Sequence, residues 1–151
     1  MQKIIVIIGL PGSGKTMYLK EHAQEFGQNA LICDDYYKSA PGRTVEFKGS
    51  AYYADLREAL KDGKNVVIAD IVFCEEPFRR EAEGGIKNLV AELGLKVDVD
   101  YRFFQNDPEA CIANILNRAR PERVASELKF IEEHRNNYRI PEGATILPVH
   151  R

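Results

Sequence analysis

Short apolar runs separated by longer stretches of helical periodicity set the plan of this chain. Lys3 to Ile8 is a nearly unbroken Ile/Val run, the pattern of a strand covered on both faces. Ala30 to Cys33 and Val66 to Ala69 are two more such runs, each closed by aspartate: Asp34-Asp35 after the first, Asp70 after the second. Leu95, Val97, Val99, Tyr101 and Phe103 alternate with polar residues, which predicts a fourth strand with one wetter face. Thr145 to Val149, interrupted by Pro148, predicts a short fifth.

The intervening stretches carry helical spacing. From Lys15 to about Phe26, Tyr18, Leu19, His22 and Phe26 share one face, and Gly27 is a natural terminator. Ala51 to Lys61 predicts a helix ended by Asp62-Gly63. Pro77 suits a first helical turn, and the next helix runs to Leu93 through a Gly84-Gly85 pair that is expected to bend it. Asp107 followed by Pro108 reads as an N-cap and first helical residue, opening a helix to about Ala119; another extends from about Pro121 to Tyr138. Residues 38–50 hold a Pro-Gly pair and no periodicity, predicting a mobile loop beside a site. Strands alternating with helices imply a parallel sheet with helices on both faces.

Composition narrows this without redirecting it. At 151 residues the chain fits one domain, 1–151, and 44% apolar residues suffice for one core. No apolar stretch approaches the ~20 residues of a membrane span, and only Met1, Gln2 and Lys3 precede the longest one, Ile4 to Ile8, so neither an anchor nor a signal peptide is expected. Cys33, Cys74 and Cys111 have neither paired spacing nor His companions, which predicts reduced thiols and a cytoplasmic location. A net charge of −2 without blocks of either sign argues against a large non-specific nucleic-acid footprint, though not against a strand end held in a pocket.

The chemistry begins at Gly9-Leu-Pro-Gly-Ser-Gly-Lys15-Thr16, a complete G-x-x-x-x-G-K-[ST] loop standing between a predicted buried strand and a predicted helix. Glycines let the backbone curl so that successive N–H groups point inward at phosphate oxygens at a helix start, with Gly9, Pro11, Gly12, Ser13 and Gly14 as the loop residues expected against the phosphates. Lys15 is expected to reach the β- and γ-phosphates of ATP, and Thr16 to ligate Mg²⁺. The guanine signature Asn-Lys-x-Asp does not occur, and the chain is too short for the extra subdomain of oligomeric ATPase motors, which favours a kinase.

Parallel sheets bind ligands beyond the carboxyl ends of their strands, where Asp34, Asp35 and Asp70 lie. Phosphoryl transfer to an alcohol needs a carboxylate to accept the hydroxyl proton and another to help hold Mg²⁺. Asp34 is the candidate base and Asp70 the candidate metal-side carboxylate; each is also a residue type that often follows strands as a turn former. Arg118, Arg120 and Arg123 cluster at a helix-to-helix junction suited to a short lid near 118–124, and arginine forks suit the charge that develops on a transferred phosphoryl group. Arg79 and Arg80 face either the acceptor or solvent. His22, His134 and His150 lack partners at triad or metal spacing, and Tyr36, Tyr37, Tyr52 and Tyr53 are expected near the acceptor.

The stretches KIIVIIGLPGSGKT, CDDYYK, EEPFRREAE and NRAR, in this order along nearly the whole chain, resemble the P-loop kinases of the polynucleotide 5′-hydroxyl kinase type, a group that shades into zeta-toxin-like and small-molecule kinases. The resemblance implies a three-layer α/β P-loop fold with a five-stranded parallel sheet, expected in the order 2-3-1-4-5, ATP with Mg²⁺, and phosphorylation of a hydroxyl. It assigns Asp34 as base, Lys15 and Thr16 to phosphate and metal, and a lid arginine, Arg118 or Arg120, as clamp. Such kinases often carry Arg soon after the paired aspartates, where Tyr37 and Lys38 stand, and Thr-Asn after the third strand, where Ile71-Val72-Phe73 stand. The acceptor is accordingly expected to be a nucleic-acid 5′-hydroxyl or a nucleoside, with a nucleotide or small metabolite as alternative. A monophosphate acceptor would call for more arginines than Arg43 and Arg57 between residues 36 and 62. A regulatory module that binds ATP without chemistry is the third possibility.

Overall fold

The computed structural model describes residues 1–34, 51–118 and 120–149, apart from the side chains of residues 34, 51–53 and 72. The readings of Asp35, Tyr36, Tyr37, His150 and the 38–50 loop, and those of the Asp34, Tyr52 and Tyr53 side chains, fall outside what is described.

β1 (Gln2–Ile8) occupies the middle of a five-stranded sheet with β2 (Leu31–Asp34), β3 (Val66–Ala69), β4 (Val97–Phe104) and β5 (Thr145–Leu147). The order is β2-β3-β1-β4-β5, as expected, and every pairing is parallel. The Ile/Val run explains the central place of β1: Ile4 to Ile8 are all at most 2% exposed, and only a strand flanked by two others and covered on both faces achieves that. Ile4, Val6 and Ile8 pack with Leu56 and Leu60 of α3 (Ala51–Lys61), Ile86 and Leu89 of α4 (Glu76–Glu92), Ile115 of α5 (Pro108–Asn117) and Ile131 of α6 (Pro121–His134). Ile5 and Ile7 point the other way, onto Leu19 of α1 (Lys15–Glu21) and Phe26 of α2 (Ala23–Phe26). Alternation along one strand thus sorts the core into two layers, each such side chain contributing about 1.5–3 kcal/mol by burial. No helix among the described residues is long and apolar enough to cross a membrane.

Several boundaries differ from expectation for local reasons. The first helix is broken at His22, whose ring stacks on Tyr18 at 3.9 Å and whose Nδ1 lies 3.0 Å from the Tyr18 carbonyl. The His22 amide still donates to that carbonyl at 3.0 Å, and α1 ends there because His22 itself leaves the helical region, at φ −109° and ψ 17°. Leu95 belongs to the exit of α4, where Gly94 adopts φ +65° and the Leu95 amide returns to the Val90 carbonyl at 3.2 Å, so β4 begins later, at Val97. α5 stops at Asn117, and Arg118 is already extended. α6 ends at His134 because Tyr138 turns inward: its hydroxyl donates to the carbonyls of Phe104 and Ile8, closing the ends of two strands. β5 stops before Pro148, which has no amide to offer. α4 runs unbroken through Gly84-Gly85, and Gly85 is buried, where a small residue suits the packed side of the helix.

Candidate active site

Between β1 and α1 the backbone must turn sharply, and glycine permits it at two points. Gly12 has φ +82° and Gly14 φ +108°, a region that costs other residues strain. At Gly12 a side chain would also have no room: a Cβ there would collide with the Cys111 carbonyl and stand 2.9 Å from Ile115 Cγ1. The loop is therefore pressed directly on α5. Asn114 of α5 reinforces the contact, its Nδ2 donating to the Gly12 carbonyl at 2.9 Å. Ser13 N donates to Leu10 O at 3.1 Å, tightening the turn, and the Ser13 hydroxyl is fully buried with no hydrogen-bond partner among the described residues.

Lys15 is 9% exposed and curls over the loop, donating to the carbonyls of Gly9 at 2.7 Å and Leu10 at 3.0 Å. Its charge reaches two thiols beneath the loop. Burial nevertheless dominates at both, pushing Cys74 up to about 12 and Cys111 up to about 11, with Lys15 pulling each part of the way back. The three cysteines are buried thiols, and such thiols do not serve as nucleophiles.

A cleft of about 350 Å³ opens over the loop. Pro11, Gly12, Gly14, Lys15 and Thr16 form its floor, while Gly9 and Ser13 are buried below. Arg118, Arg120 and Arg123 line it from the junction of α5 and α6, and Lys20 from α1. Among the described residues, five cationic side chains thus surround it against one lining carboxylate, Glu127, whose Oε2 lies 3.5 Å from Arg118 Nη2. Such a cavity attracts a polyanion.

Asp34 and Asp70 stand at the carboxyl ends of neighbouring strands, on the same edge of the sheet. Asp34 ends β2 in register with Ala69, and Ala69 is in register with Ile7 of β1. Two strand spacings, roughly 10 Å, separate the backbone of Asp34 from that of β1. Asp70 follows β3 directly, is 2% exposed, and together with Lys15 influences the Cys74 thiol; it does not line the cleft. Lys15, Thr16, Arg118 and Arg120 are therefore gathered in one cavity, with Asp34 and Asp70 on its sheet side.

Other expectations change. Arg79 faces neither acceptor nor solvent: it is 5% exposed, bonded to Glu83 at 3.2 Å and the Arg139 carbonyl at 3.2 Å, with its guanidinium 5.3 Å from the Phe103 ring. Arg80 is exposed and paired with Glu76 at 2.6 Å. His134 does have a partner, Glu75 at 3.1 Å, contributed by the turn before α4. Sequence reasoning missed Lys20, Asn114, Asn117 and Glu127 in the cleft. Lys20 was within reach, being one helical turn beyond Thr16. Nothing in the spacing of the other three points to the loop a hundred residues earlier.

A glycine loop between the central strand and first helix of a parallel sheet ordered 2-3-1-4-5, facing arginines from a helix junction, defines the class: this is a three-layer α/β P-loop fold. The chain belongs to the AAA domain family, whose model matches residues 4–138. An uncharacterised protein of Acanthamoeba polyphaga mimivirus is 27% identical over 140 residues, covering 92% of this chain and 88% of that one. A gluconokinase from Sinorhizobium meliloti superposes with a TM-score of 0.62 at 13% identity, covering 99% of this chain and 83% of its own. A fungal RNA kinase superposes with a TM-score of 0.60 at 18% identity, covering 99% and 75%.

Proposed function

We propose that this protein is an ATP-dependent kinase that transfers the γ-phosphoryl group to a hydroxyl, the narrowest reading being the 5′-hydroxyl of a nucleic acid or nucleoside. The observation that carries the reading is the cleft: a phosphate loop with a buried lysine on one wall and three arginines on the other. ATP fits this arrangement as substrate, because its charge is concentrated in the triphosphate that such a cavity attracts. The neighbouring folds include both a sugar kinase type and an RNA kinase, which supports a hydroxyl acceptor without choosing among them.

In this reading the loop amides and Lys15 hold the phosphates, and Lys15 leaves the Gly9 and Leu10 carbonyls to do so. Arg118 or Arg120 meets charge that develops on the transferred group, and their guanidinium forks suit phosphate oxygens. Asp34 accepts the proton of the attacking hydroxyl. Mg²⁺ is compatible with the hard oxygen donor of Thr16, which would share it with the phosphates, while Asp70, buried behind the cleft lining, would stand in its outer shell; the ion would neutralise part of the phosphate charge. The junction carrying Arg118 and Arg120 acts as a lid in a single domain, and the buried thiols suit a cytoplasmic setting.

The test is transfer of label from γ-labelled ATP with Mg²⁺ across 5′-hydroxyl oligonucleotides, nucleosides, nucleotides, sugars and antibiotics. One acceptor class should become labelled, and Lys15→Ala should abolish the transfer. ATP binding without transfer to any acceptor would leave a nucleotide-binding module. Unchanged transfer by Lys15→Ala would remove the phosphate-loop assignment.

A further inference from the structure

We propose that Asn114 is a positioning residue that holds the phosphate loop in its anion-receptive shape, so that α5 ties the grip on phosphate to the arginines at its own C-terminal end. This rests on the nucleotide reading of the cleft. Three contacts join α5 to a single point of the loop: the Asn114 amide on the Gly12 carbonyl at 2.9 Å, and the Cys111 carbonyl and Ile115 side chain against the Gly12 Cα. The first has a chemical consequence the other two lack.

A carbonyl in the wall of a phosphate site presents the negative end of its dipole to an incoming anion. Turned toward the cavity it would repel phosphate, and left half-buried without a donor it would carry a desolvation cost. The Asn114 Nδ2–H group engages the Gly12 oxygen and fixes the plane of the Gly12–Ser13 peptide. The glycine at φ +82° has no side chain to restrict it, so the hydrogen bond supplies what the residue type does not. α5 then ends at Asn117 and delivers Arg118 to the same cleft. A shift of the helix that loosens the clasp therefore also displaces the first lid arginine. Asn114 acts on phosphate through the loop and not through the nucleoside.

The distinguishing experiment measures dissociation constants for ATP and for inorganic tripolyphosphate, each with Mg²⁺, on the full chain and its variants. Asn114→Ala should weaken both ligands by the same factor, roughly 3- to 10-fold, the equivalent of one lost hydrogen bond. Asn114→Asp, which places an acceptor and a negative charge against the Gly12 carbonyl, should weaken both further. At saturating ATP, kcat of Asn114→Ala should change less than KM. Loss confined to ATP would mean that Asn114 touches the nucleoside directly, and equal affinity of Asn114→Ala and wild type for both ligands would mean that the clasp is packing alone; either overturns the proposal. Should Asn114→Ala fail to fold, Asn114→Asp and Asn114→Ser carry the same comparison, with Ser expected to lie between wild type and Asp. A wild-type protein that binds neither ligand would instead refute the nucleotide reading beneath it.

Discussion

Gly12→Ala is the perturbation whose cost the structure lets one work out in most detail, because Gly63 provides its control. Both residues have positive φ, +82° and +74°, so an alanine at either meets the same backbone penalty, about 1–2 kcal/mol, partly offset by a stiffer unfolded chain. A Cβ at Gly63 meets nothing within 4 Å, and Gly63→Ala should therefore cost about 1 kcal/mol. At Gly12 the added carbon stands 2.9 Å from Ile115 Cγ1 and also overlaps the Cys111 carbonyl. Restoring an ordinary carbon contact of about 3.5–4.0 Å requires the loop and α5 to separate by roughly 0.6–1 Å. That movement stretches the 2.9 Å Asn114 to Gly12 bond past useful hydrogen-bond length. Adding about 1–3 kcal/mol for overpacking and about 1 kcal/mol for the bond, Gly12→Ala should cost roughly 3–5 kcal/mol. Urea unfolding read from the transition midpoint, with the slope unchanged, gives the comparison directly. Equal midpoints for Gly12→Ala and Gly63→Ala would refute the docking of α5 on the phosphate loop.

Two further expectations concern chemistry and acid stability. Asp34→Asn should lower phosphoryl transfer by roughly 10²–10⁴ while ATP affinity stays close to wild type, measured by single-turnover transfer and equilibrium binding; full activity would move the base elsewhere. Arg102 of β4 bonds Asp100 at 2.9 Å, the Tyr18 hydroxyl at 2.8 Å and the Glu25 carboxylate, and the Arg102 hydrogen bond holds the Glu25 carboxyl below its ordinary value of 4.5. A group whose folded pKa is depressed stabilises fully above its unfolded value and loses that contribution as pH falls through the folded one. Wild-type melting temperature should accordingly drop from about pH 5 downward more steeply than that of Glu25→Gln, and parallel curves would exclude this pair as a source of the slope.

The resemblance to P-loop kinases reached far because the features it uses are local. A buried Ile/Val run, a glycine loop and a Lys-Thr pair are contiguous, so spacing alone shows the strand, the turn and the helix start, and the expected sheet order was the observed one. The ends of elements were less legible. His22 interrupts a helix where its own backbone leaves the helical region, and Tyr138 leaves a helix because its hydroxyl has carbonyl partners at the ends of β1 and β4. Arg79 has the same neighbours in sequence as an exposed helix-start arginine, yet a carbonyl sixty residues away and a ring on β4 bury it.

What the amino-acid order determined by itself, then, was the local conformation and the inventory of chemistry: glycines where φ turns positive, a lysine and threonine at the helix start, aspartates at strand ends, arginines at a junction. Which of these share a cavity was decided only by packing. Arg118, Arg123 and Glu127 meet Lys15 and Lys20 because α5 lies against Gly12, and that approach depends on burying Ile115 with the same strand that Ile4, Val6 and Ile8 cover. Apolar burial is non-directional and sums over the whole sheet, so it brings together polar residues a hundred positions apart with no signal in either segment to announce it.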